Sequence, residues 1–587
     1  MLDLRIVGGT IVDGSGAPRF RGDVGIRDGR IVAIGTVSEE ARETIDATGR
    51  IVSPGFVDLH THYDVQVFWD PSLSPSCYHG VTTVLGGMCG FSIAPLTPDA
   101  ASYIKPMLAR VEGMPMATLD AALDWDWSSF GDWLGRLDGK VGLNAGFFVG
   151  HSAIRRVVMG ERSVGELATP DELEAMKALL GQSLAEGALG FSSSLSASHN
   201  DGDGNAVPSR WASEEELIAL GEVVSEHAGT GLELLPGMNF DANTAELVTR
   251  FSLAGQRPVN WNVLMLTGQP GQSAQAARQL ALSDYARARG GEVLALTLPC
   301  TASIYMNLNS GMIFDSIPGS WCEMFKWPVE DRMEKLRDPQ FRLQLAADAE
   351  AHGGAGILGF ASRIDNYIVA AVTAEINKPH EGRLIGDIAR EQARAPIDIM
   401  LDIALADRLM TIFSPQLGGN DHETIALRSE LWRDDRTLIG ASDAGAHIDM
   451  IDGFCYSTMV LQQGVREHGV VTLEEAIYQM SSRPARYAGL IDRGLIAKGH
   501  HADIIIFDEA TVGRGPPHNR YDVPGDEYRV YAEARGIDHV FVNGVQIVRD
   551  GHHTGAMPGT VLRSGRDTRT VSLDALHEGR HAQLEEV

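Results

Sequence analysis

The middle of the chain alternates short apolar runs with longer amphipathic ones, and that rhythm limits the fold more than any other feature. Residues 82–85, 143–149, 187–192, 231–235, 259–266 and 293–298 read as strands. Residues 170–186, 213–227 and 243–254 read as helices between them. Thr169-Pro170-Asp171-Glu172 and Ser213-Glu214-Glu215-Glu216 have the form of helix starts, a hydroxyl able to cap followed by early acids. Strands alternating with helices imply a parallel sheet. The number of such units predicts a closed (β/α)8 TIM-like barrel.

The two ends differ from this middle. Residues 4–12, 23–26 and 30–34 are β-branched runs punctuated by Gly8-Gly9, Asp13-Gly14 and Asp28-Gly29. Residues 503–507, 539–542 and 545–548 return to that style, with Asn543-Gly544 closing a hairpin. Both ends are therefore expected to build one small β-sandwich domain, since chain ends often lie close together. The expected division is 1–54 and 488–565 for that domain, 55–487 for the barrel and 566–587 for a tail. Residues 303–338, rich in Met306, Met312, Phe314, Trp321, Met324, Phe325 and Trp327, break the rhythm and are expected to be an inserted lid.

A length of 587 residues is too great for one ordinary core, which fits a large barrel with an appendage. The net charge of -29 argues against nucleic acid or an anionic membrane surface as partner. The five cysteines are scattered and odd in number, so no disulfide framework is expected. No apolar run is long enough to span a bilayer, and the first residues read as a strand. A cytoplasmic protein is the expectation.

Four short segments carry chemistry. In Gly55-Phe56-Val57-Asp58-Leu59-His60-Thr61-His62, two histidines two residues apart follow an apolar strand. Residues i and i+2 of a strand point to one face, so both imidazoles can reach one cation. A buried histidine pair without metal is the weaker reading of that pattern. Cys89 follows the strand 82–85 among glycines and is open to two readings, a thiolate ligand or a small buried residue. Asp443 ends the apolar run Leu438-Ile439-Gly440-Ala441-Ser442, where barrel enzymes keep catalytic groups. It can hold a metal and accept a proton, or it can cap a loop. His151 and Arg155 stand at another strand end, and Arg155 is either a carboxylate receptor or a surface charge. His447 either touches substrate or caps the next helix, the first being favoured.

These segments resemble the amidohydrolase superfamily of metal-dependent hydrolases, in particular its D-aminoacylase (N-acyl-D-amino-acid deacylase) branch. The resemblance rests on Ser53 to Asp58 running into the His-x-His, Cys89-Gly90 before Ala94-Pro95, and Gly150-His151-Ser152-Ala153-Ile154-Arg155. Gly187 to Ser192, Ser442-Asp443, Asp492-Arg493-Gly494, Ala502-Asp503 and Val542-Asn543-Gly544 extend it over nearly the whole chain. It implies that His60, His62, Cys89 and Asp443 are metal ligands, with Asp443 also the general base. It places His151 and Arg155 near a small-molecule amide substrate.

The chain departs from that branch at two strands that usually carry one histidine each. Here they read Gly231-Leu232-Glu233-Leu234-Leu235 and Val259-Asn260-Trp261-Asn262-Val263. Glu233 is a possible oxygen ligand and Asn260 or Asn262 a weak one. A single zinc ion is therefore expected, with a second left open; thiolate and imidazole together suit zinc better than magnesium or calcium. The expected reaction is cleavage of a linear amide, an N-acyl-D-amino acid or related N-acyl amine, by metal-activated water. A cyclic-amide hydrolase, or a non-catalytic barrel that lost part of its metal site, are the alternatives. A homo-oligomer is left open.

Overall fold

The computed structural model describes every residue except 238–239, 269–270, 302, 312, 354–358 and 576–587. Met312 and most of the C-terminal tail thus lie outside the described residues.

The alternating middle forms parallel strands. Phe56–Asp58, Val81–Gly86 and Asn144–Phe147 make one parallel sheet. Val149–Gly150, Gly190–Ser194, Gly231–Leu235, Val259–Leu264, Val293–Thr297 and Thr437–Ile439 make a second, in that order. The sheets join edge to edge, where the Phe148 amide donates to the Gly86 carbonyl and the Leu189 amide to that of Phe147. At the other edge Thr61 bridges Ala444 in parallel, and the His62 amide donates to the Ala444 carbonyl at 2.7 Å. Helices Pro170–Ala185, Glu214–Ser225, Ala242–Gly255 and Gln272–Arg287 connect successive strands. Thr169 and Glu172 form a reciprocal cap, and the Ser213 hydroxyl accepts from the Glu216 amide.

The period of two along the strands sorts their side chains. Leu232, Leu234, Val259 and Trp261 join the core shared with the helices. On the opposite face Val57, Leu59, Leu85, Phe148, Leu189, Leu294, Leu296 and Leu438 form a separate apolar cluster. Glu233 and Asn262 alternate with the helix-facing residues, so their polar groups share the face of that second cluster.

The two chain ends meet in one nine-stranded sheet. Leu2–Ile11 pairs with Phe20–Arg27, Ala41–Asp46 and Ile51–Pro54, and Ile51–Pro54 pairs antiparallel with Ile504–Phe507. The chain leaves this sheet at Pro54 and enters Phe56–Asp58 directly, so the sheet fixes the root of the His-x-His strand. The buried Asp503 carboxylate accepts from Arg493, from Asn144 and from the Asn543 amide. That network joins the C-terminal segments to a strand of the parallel set.

The segment expected to be a lid is the start of a longer unit. Met306, Phe314, Trp321 and Met324 pack with Leu345, Tyr367, Met400 and Phe413 in a core of their own. The unit lies between strands Val293–Thr297 and Thr437–Ile439. It touches the segment after Asp443, where the Tyr305 amide donates to the Met450 carbonyl at 2.6 Å.

Candidate metal centre

His60 and His62 lie just past the end of Phe56–Asp58, where the chain is still held by the Thr61–Ala444 bridge. Both are buried, and their rings meet edge to face with centroids 5.2 Å apart. Cys89 follows Val81–Gly86 on a tight turn and has φ of 57°. A side chain at Gly87 would strike the Phe148 backbone, so glycine is required for the turn to sit this close. Ligand atoms of His60, His62 and Cys89 lie within 4.8 Å of one another.

Asp443 reaches the two histidines from the far end of the chain. Its Oδ1 is 3.2 Å from His60 Nε2 and 3.3 Å from His62 Nε2, and the Cys89 sulfur is 3.6 Å from His60 Nε2. Zinc holds nitrogen at ~2.0–2.1 Å and sulfur at ~2.3 Å in a tetrahedron, which spaces neighbouring donors about 3.3–3.6 Å apart. These three spacings, of the six a tetrahedron has, lie close to that range. Asp443 has φ of 55° and its side chain keeps 41% of its surface exposed, unlike the buried histidines and cysteine beside it.

The electrostatics favour a cation. Burial works to raise the Asp443 pKa, but the two imidazoles outweigh it and hold the carboxyl well below its ordinary range. Burial also acts to lower His62, yet the charges of Glu112 and Asp443 carry it up to about 9. Burial and then the neighbouring Glu233 push the Cys89 thiol well above its usual range. A bound divalent ion reverses that last effect, because coordination deprotonates the thiol.

Glu233 and Asn262 do meet the cluster. The Cys89 amide donates to Glu233 Oε2 at 3.0 Å, and the Asn262 side-chain amide donates to the Cys89 sulfur at 3.4 Å. Glu233 Oε1 and Asn262 Oδ1 have no hydrogen-bond partner. Asn260 is engaged elsewhere, donating to the Tyr487 hydroxyl at 3.0 Å.

His151 and Arg155 gather around a different group. His151 Nε2 lies 2.8 Å from Glu216 Oε1, and Arg155 Nη1 donates to both oxygens of Glu216. All three are buried. The guanidinium is therefore neither a surface charge nor an empty carboxylate receptor. The helix they start does brace the cysteine turn, since the Ser152 amide donates to the Gly90 carbonyl at 3.0 Å. His447 has a positive φ of 45° and an unpartnered Nδ1, and it feels the charges of Asp443 and His62.

Four neighbours escaped the sequence reading. Glu112 Oε2 lies 3.4 Å from His62 Nδ1. Asp58 accepts from the Ser442 hydroxyl, and Asp64 accepts from the Gly87 amide at 3.1 Å. His199 packs 5.0 Å from Phe91 and lies within the field of His62, Asp443 and His447. Asp58 and Asp64 flank the histidines in sequence and were within reach of inspection. Glu112 and His199 stand in stretches with no local signal.

Known proteins resemble this chain over nearly its whole length. Residues 43–548 match the family model described as the amidohydrolase family. D-aminoacylase of Alcaligenes xylosoxydans xylosoxydans is 26% identical, over 95% of this chain and 97% of that protein. N-acyl-D-glutamate deacylase of the same organism is 29% identical, over 96% of each. The crystal structure of N-acyl-D-glutamate deacylase from Bordetella bronchiseptica, complexed with zinc and a phosphonate inhibitor, superposes with a TM-score of 0.61 at 26% identity. That match covers 96% of this chain and all of the other. The α/β fold is thus shared with those deacylases, and the chain belongs to the amidohydrolase family, in its D-aminoacylase branch.

Proposed function

We propose that the protein is a zinc-dependent amidohydrolase that cleaves a linear amide, an N-acyl-D-amino acid or a related N-acyl amine. The nine parallel strands, of which Asn144–Phe147 and Val149–Gly150 follow one another and count as one position, give eight positions joined at both edges and are read as a closed (β/α)8 barrel with the site at the C-terminal ends of its strands. The sheet built from both chain ends is the small appended β domain. The single observation that carries the reading is the buried cluster of His60, His62 and Cys89, with Asp443 Oδ1 at 3.2 and 3.3 Å from the two imidazoles. The deacylase activities of its relatives support the substrate class.

His60, His62, Cys89 and Asp443 would hold one zinc ion. Bound there, the ion supplies Lewis-acid polarisation of the amide carbonyl and lowers the pKa of water. The protein supplies the rest. Asp443, exposed toward the approach and held ionised by the imidazoles, takes the proton of the attacking water. It then gives that proton to the departing amine. Glu233 and Asn262 hold the cysteine by its amide and its sulfur. His151, Arg155 and Glu216 form the buried brace behind the cysteine turn rather than a substrate contact. His447, with a free ring nitrogen near Asp443, is the substrate-facing residue.

The test is Asp443→Asn with N-acyl-D-amino acids as substrates. Turnover is expected to fall about 10²–10⁴-fold or more, the range for loss of a general base, in a protein that still folds. Near-full activity would refute the assignment.

A further inference from the structure

Glu112 ends the helix Pro98–Val111 and turns into the metal centre. Its side chain is buried, at 4% exposure, and Oε2 sits 3.4 Å from His62 Nδ1. The other nitrogen of that ring faces Asp443. No arginine or lysine pairs with Glu112 among the described residues; the charges acting on it are His62, Asp443 and Asp64. A buried carboxylate with only an imidazole beside it is costly unless the ring donates to it and carries positive charge or a cation beyond. Its backbone works on the same site, since the His447 amide donates to the Glu112 carbonyl at 2.5 Å. One residue therefore touches a metal-facing histidine with its side chain and the substrate-facing loop with its main chain.

We propose that Glu112 is the positioning residue of this centre. Its carboxylate accepts the His62 Nδ1 proton, fixing the tautomer that leaves Nε2 free to ligate, and its carbonyl sets the place of His447. The inference rests on the metal-centre reading above. A carboxylate behind a ligating histidine orients the ring and raises its basicity, and loss of such a partner costs 10–100-fold in metal affinity as a rule. The two functions separate by substitution, because any residue keeps the carbonyl while only some keep the acceptor.

The experiment compares wild type, Glu112→Gln and Glu112→Leu by competition of each folded protein with a chromogenic chelator for zinc, alongside melting temperature. Glu112→Leu has the bulk but no acceptor, and its zinc affinity is expected to fall on the order of 10–100-fold. Glu112→Gln keeps an acceptor oxygen and is expected to bind zinc within a few-fold of wild type. Equal affinity in wild type and Glu112→Leu would overturn the proposal, as would an equal loss in both variants tracking only a fall in melting temperature. Should Glu112→Leu not fold, Glu112→Ser, too short to reach Nδ1, gives the same comparison. Absence of zinc binding by the wild type would instead refute the metal-centre reading.

Discussion

At the scale of single residues, the site depends on a cysteine in an unfavourable place. Cys89 adopts a positive φ, and its burial and its neighbouring carboxylates oppose a thiolate in the ion-free chain. That combination makes sense when a cation supplies the compensating charge. Cys89→Ser keeps the shape and removes the soft ligand. Zinc content after dialysis is expected to fall well below that of wild type, read by elemental analysis. Unchanged occupancy would make Cys89 a packing residue. His60 and His62 stand out in the sequence because they follow an apolar strand two residues apart, and Asp443 because it follows another. Cys89 was legible only with the help of the resemblance, as glycine-flanked cysteine is ambiguous. The pairing of buried Arg155 with Glu216 was not legible, because Glu216 lies on another helix and no spacing rule connects them.

At the scale of elements, the outlines of strands and helices were readable, and their couplings were not. The helix starts at Thr169 and Ser213 fall where cap and early acids place them. Asp492-Arg493, Asp503 and Asn543 were separate motifs in the sequence. In the fold Arg493, Asp503 and Asn543 form one buried network. Residues 303–338 share their core with helices up to residue 406 and with Phe413, beyond the aromatic-rich stretch, a coupling no local pattern shows. A second coupling gives a pH prediction. His79, on the turn Ser76–His79, binds Thr458 through Nδ1 and the Ala532 carbonyl through Nε2, tying three elements together. Burial lowers it to about 4. An unfolded histidine takes a proton below about pH 6.5, whereas the folded one resists until about pH 4. Stability is therefore lost as pH falls through that window, by roughly 3 kcal/mol at most. His79→Gln is expected to be less stable at pH 7 but to show a shallower decline in urea midpoint between pH 7 and 4.5. Parallel declines would remove His79 as the cause.

At the scale of the molecule, the architecture brings distant sequence to one point. The sheet made from both ends anchors the strand that leads to His60. The last parallel strand delivers Asp443 opposite it, 383 positions later in the chain. Such convergence was foreseeable in kind from the βα rhythm, yet the second cluster of polar groups, Glu233 and Asn262 against Cys89, appears only in three dimensions. No described helix is long and apolar enough to cross a membrane. The proposed function needs one cation held by groups from distant parts of the chain, and metal removal tests that most directly. Protein stripped by a chelator should lose turnover of N-acyl-D-amino acids and regain it as the first equivalent of zinc is added back. Full turnover in protein shown by elemental analysis to be metal-free would contradict it.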